Sequence, residues 1–204
     1  MAIRSTLLLA ASLLLAPGVA PGEADAATAR DPDWPCAQIQ VPTLSPGQIW
    51  PGDPIEGKEE DWRDVPGIQP VLKQILDRSA DAEREDAAID RFAEGLGADR
   101  NAALTALFAG VFDTLNRQRG ETIAAIHRYT HQQRTLLDSI DKALTELQKL
   151  PADAPAASAL KDDIAWRRRI LDERRRYQSA LCDQPVQLEQ KLGRLARSIA
   201  AHLD

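Results

Sequence analysis

Between Asp99 and Leu150 apolar residues recur at steps close to three and four, with no proline until Pro151. The row runs Leu104, Phe108, Val111, Leu115, Thr122, Ile126, Tyr129, Leu136, Ile140, Leu144 and Leu147. Steps of three and four keep side chains on one edge of an α-helix, the seam of a coiled coil, with Gln118 and Gln133 as polar interruptions. About 50 residues at 1.5 Å each make a rod of roughly 75 Å. A rod with one apolar edge must cover that edge. The chain supplies the cover after "PADAPAA", where a second row of Leu160, Ile164, Leu171 and Leu181 begins, widened by Trp166, Ile170 and Tyr177. A connection this short makes neighbouring helices antiparallel. The fold class predicted is all-α, a long antiparallel, coiled-coil-like helical hairpin.

Pro185, in "CDQPVQ", lacks an amide donor, and Asp183 ahead of it is a good N-cap. The return is therefore read as two helices, about 156–181 and 184–203, and the outgoing helix as about 99–150. Ahead of them, Val71, Leu72, Ile75 and Leu76, then Ala88, Ile89, Phe92 and Leu96, fit two short helices near 68–79 and 81–96. Ser79 and Asp81 are candidate caps, and Gly95 and Gly97 candidate ends.

A helix is nearly excluded over most of residues 27–67. Eight of the thirteen prolines fall between 31 and 70, and each fixes φ and removes a donor. Yet Trp34, Trp50 and Trp62 lie there with Ile39, Val41, Leu44 and Ile49, which is too much apolar surface to leave in water. The segment reads as an extended strap that lays its tryptophans on the helical domain of residues 68–204.

The first 26 residues have the layout of a cleaved secretory signal. Arg4 precedes an apolar run, Leu7–Ala16, then Pro17-Gly18 and the small residues Ala24 and Ala26. That run is too short to anchor the mature chain in a bilayer. An exported chain with two cysteines pairs them. Folding the hairpin about residue 153 brings Cys182 level with Ala124, so a Cys36–Cys182 bridge would staple the strap to mid-hairpin. The predicted location is periplasmic or secreted.

Formal charge is −6, which argues against nucleic acid as a partner. The halves differ: residues 27–100 carry 8 basic and 16 acidic side chains, residues 101–204 carry 16 and 13. Opposite signs suggest that the acidic part packs on the basic one. "WRRRILDERRR" concentrates the positive charge, with Arg167–Arg169 expected opposite Asp138 and Asp141. Arg174, Arg175 and Arg176 face Arg128 and Arg134 across the hairpin, a candidate docking surface for an acidic protein or an anionic membrane. Coverage by the acidic strap is the competing reading.

Metal-ligand spacing occurs twice. His127 and His131 stand at i, i+4 but phase outward from the seam. Glu83, Asp86 and Asp90 form a carboxylate ladder on the second short helix; a solvated face is the plainer reading of both. No phosphate loop, nucleophile elbow or EF-hand is present, so no catalytic residue and no cofactor is predicted, a metal ion being the alternative. "AALTALFAGVF" (Ala102–Phe112) is apolar all round and is expected either to be wrapped by strap and short helices or to form a homodimer interface. The function expected is a non-enzymatic adapter or chaperone-like interaction module, with another envelope protein or a second copy as partner. The alternative is periplasmic metal handling.

Overall fold

The computed structural model describes Asp31 and residues 33–204; the expected secretory signal lies outside the described residues. The strap's regular structure is limited to two single 3-10 turns, Pro46–Gln48 and Asp61–Asp64; two short helices, α1 (Ile68–Ile75) and α2 (Ala82–Glu94), then precede two long ones, α3 (Arg100–Leu147) and α4 (Pro155–Ala200), and no strand occurs among the described residues. α3 and α4 pack along their length as an antiparallel hairpin.

Local chemistry sets the boundaries. Gly67 sits at φ 85°, where a side chain would be strained, and opens α1. α1 stops at Ile75, short of the expected 79, because Asp77 accepts hydrogen bonds from both the amide and the hydroxyl of Ser79 and turns the chain. Ser79 therefore serves that turn, and Asp81 alone caps α2, accepting from the Arg84 amide at 2.9 Å. Pro155 starts α4 at a position where its missing amide costs nothing.

α4 is one helix. The two return helices expected from Pro185 are a single unbroken element from Pro155 to Ala200 with Pro185 buried inside it. One lost backbone hydrogen bond is small against the packing of the helix on α3. The turn around Pro185 also gains an outside partner, since the Gln38 side-chain amide donates to the Cys182 carbonyl.

Three apolar clusters lie along the hairpin. The largest is at the open end, where α1, α2, Trp50 and Ile55 close on Leu104, Leu107, Phe108, Val111 and Phe112 of α3 and Leu192, Leu195 and Ile199 of α4. Of the stretch expected to be covered all round, Leu104 and Leu107–Phe112 are buried under the strap and short helices of the same chain, while Ala102 is exposed and Ala103, Thr105 and Ala106 are half-buried. Trp50 stacks on Phe108 with ring centroids 4.4 Å apart. Gly110 makes room for α1: a Cβ there would lie 2.5 Å from Leu72 Cδ1. The ends of the hairpin are tied by Arg100, whose Nε donates to the His202 carbonyl at 2.8 Å.

The middle cluster is Trp34, Cys36, Ile123, Ile126 and Cys182. The Cys36–Cys182 disulfide is formed, with Cα atoms 5.5 Å apart. Beyond it Ile140, Ala143, Ile164 and Leu171 form a third, smaller cluster, a seam between the two helices, with Gln133 and Ala157 also buried.

Candidate functional site

Besides the disulfide, polar contacts hold the strap together internally and fasten it to both α3 and α4. The Trp34 indole donates to the Gln38 carbonyl at 2.7 Å, and the Gln178 amide to the Pro35 carbonyl at 3.3 Å. Arg119 is 3% exposed; its Nη2 donates to the Val41 carbonyl and its Nε to Glu189, each at 2.5 Å. At the far end of the strap Asp113 accepts from the Trp62 indole at 3.3 Å and from Arg63 at 2.8 Å.

This path overturns one expectation about the histidines. His127 is half-buried rather than open to solvent. Its Nε2 lies 3.0 Å from the Gln40 amide nitrogen, and Trp34 tilts against its ring at 5.7 Å. The strap docks on the side of α3 that the seam leaves outward. His131 is exposed. The i, i+4 pair is thus split between a covered and an open position.

The α2 ladder is committed elsewhere. Asp86 accepts from the Ser198 hydroxyl at 2.7 Å, Asp90 pairs with His202 at 2.9 Å, and Glu83 is exposed. Among the described residues no three of His, Cys, Asp and Glu gather as a metal-holding group. The carboxylate that matters structurally is Glu85, one position from that ladder. It is 1% exposed and held by Lys191 at 2.7 Å and Arg194 at 2.8 Å, which fastens α2 to α4.

The five arginines expected to form one docking surface divide. Arg134 pairs with Asp33 of the strap, so the acidic segment does cover part of the basic root. Arg174 gives its carbonyl to the Tyr129 hydroxyl at 2.6 Å, and its side chain flanks a shallow groove with Gln132, Leu136 and Ser139. Arg128 and Arg176 stay exposed, while Arg175 lies 3.9 Å from Asp172. Arg167 pairs with Asp163 one turn back on its own helix at 2.8 Å, in place of the expected Asp138 or Asp141. Around these arginines stand two large aromatics in the open, Trp166 at 57% exposure and Tyr177 at 61%. Arg169 lies over the Trp166 ring, 5.8 Å from its centroid.

Sequence reasoning missed Arg119 and Glu85 as buried charges, although helical phase carries the signal. Arg119 is four residues from both Leu115 and Ile123, and Glu85 is three and four from Ala88 and Ile89, all buried. The arrangement has few converging reactive groups. A groove of about 550 Å³ where α1 ends against the hairpin is lined by leucines and glutamines with Arg78, Glu121 and Lys191. No helix among the described residues is long and apolar enough to cross a membrane. Compared with family models, curated proteins and solved structures, the chain matches none of them.

Proposed function

We propose that this is an exported, non-enzymatic interaction protein whose strapped base is a foundation and whose hairpin arm, residues 127–178, is the docking surface. One observation carries the reading. Trp166 and Tyr177 are the most exposed large aromatics of a chain poor in them, and both sit on the arm beside arginine. Aromatic and arginine side chains are the residues enriched where proteins bind one another. The disulfide supports an oxidising compartment, periplasmic or secreted. Of the candidate metal ligands, His127, Asp86 and Asp90 have partners within the chain, while His131 and Glu83 stand exposed and apart.

A photo-crosslinking residue at Arg175, in cells that express the full chain, tests the reading against the same residue at Gly97 on the base. Discrete adducts from the arm and none from the base are expected. No adduct from any of several arm positions defeats it.

A further inference from the structure

The arm changes sign along its length. Its outer part, residues 138–163, carries six acids and three lysines, a net −3. Its root, residues 127–137 with 164–178, carries eight arginines against Asp172 and Glu173, a net +6 with histidines neutral. The natural complement of such a rod is a second copy pointing the other way, and an isologous two-fold contact is the commonest protein assembly.

The exposed aromatics lie on one side of this rod. Trp166 and Tyr177 are eleven residues apart, about three helical turns and roughly 16 Å, and so share one flank of α4. Ile170 lies between them, half-buried. Helical phase sets this flank beside Gln132 and Ser139 of α3, which border the groove with Arg174. His127 and Arg134, on the other side of α3, carry the strap. The strap therefore leaves the aromatic flank bare.

We propose that two copies pack these flanks antiparallel about a two-fold axis near Asp138 and Arg168, where the arm changes sign, forming a short four-helix bundle. The acidic outer part of each arm then rests on the arginine root of the other, and Trp166 and Tyr177 become buried. An overlap of about 20 residues per helix spans roughly 30 Å, long enough for the ~800 Å² per partner of a specific interface. An anionic membrane fits this flank less well, because Glu146, Asp163 and Glu173 share it and would meet like charge. Against a second copy they meet arginine.

The inference rests on the arm being the docking surface, and it is tested apart from that reading. Sedimentation velocity of the processed, disulfide-intact protein should show a reversible dimer from micromolar concentrations upward that weakens as salt is raised. Trp166→Ala with Tyr177→Ala should weaken it at least tenfold. Arg169→Glu with Arg176→Glu, and separately Glu146→Lys with Asp162→Lys, should each give monomers; mixing the two variants should restore a heterodimer. All these positions are exposed, and circular dichroism checks that each variant folds. A chain monomeric at every concentration in low salt overturns the second copy. So does a dimer indifferent to both charge pairs. If that monomer binds anionic vesicles or crosslinks through the arm to another protein, the docking surface survives and only its occupant was wrong.

Discussion

The base and the arm are built from the same two helices, yet only the base has depth. At the base nineteen buried residues from the strap, α1, α2, α3 and α4 enclose one another. In the arm four buried residues form a single seam between α3 and α4. Stability follows apolar area removed from water rather than helix length. A hairpin can therefore be continuous in backbone and divided in free energy. The disulfide cluster at Trp34, Cys36 and Ile126 marks the division.

The largest expected effect comes from cutting that mark. Replacing Cys36 and Cys182 together by serine frees a crosslink between residues 146 apart in sequence. The chain-entropy model puts the loss at about 5 kcal/mol. Urea unfolding should show it as a lower midpoint, and hydrogen exchange should rise first in residues 33–41, whose anchors to His127 and Arg119 depend on the staple. A midpoint within error of the parent would mean that the strap is held by its other contacts, and the division would have to be drawn elsewhere.

Matched isoleucines sharpen the contrast. Ile199 lies in the base core and Ile140 in the arm seam, and both are buried. Ile199→Ala should cost about 4 kcal/mol in global stability, near the upper end for such a cavity, because five segments hold its surroundings fixed. Ile140→Ala should cost about 2 kcal/mol, since a two-helix seam can close on the gap. The second loss should register as local opening, with faster exchange at 136–147 and 160–171 and little movement of the base. Equal costs with one cooperative transition would erase the distinction between the two regions.

The same distinction explains what could be read from the sequence. The hairpin, the α2 cap at Asp81 and the wrapped stretch through Phe112 were legible because each depends on spacing or on a neighbour a few residues away. The disulfide was legible because only two cysteines exist. What escaped depends on long-range coverage. His127 faces outward by the phase of α3, but Trp34 and Gln40 arrive from the strap and cover it. Pro185 looks like a break until α3 and Gln38 are known to hold its helix straight through. Burial of Glu85 needs Lys191 and Arg194 from the far end of α4. Of the arginine surface, the positive charge was legible and its partition by Asp33 was not.

The smallest effects separate the two regions by pH. Where the arm leaves the base, the half-buried Tyr129 donates to the Arg174 carbonyl; burial pushes its hydroxyl pKa up, with the Arg174 charge opposing. A raised folded value means a contribution complete below the unfolded tyrosine value and lost as pH climbs through the folded one. In the base, the Ser79 hydroxyl and then its amide hold the Asp77 carboxyl below its ordinary range. That contribution is present above the unfolded carboxylate value and lost as pH falls through the lowered one. Alkali should thus loosen the root of the arm, and acid the turn between α1 and α2. Tyr129→Phe should cost about 1 kcal/mol near neutrality, and its gap from the parent should narrow as pH rises through the tyrosine range. Ser79→Ala should return the Asp77 titration, followed by NMR, towards the ordinary carboxylate value without moving the Tyr129 response. Because the two groups sit in different regions and shift in opposite directions, a gap at Tyr129 that stays flat in alkali would show that its hydroxyl does not fasten the arm, whatever acid does to the base.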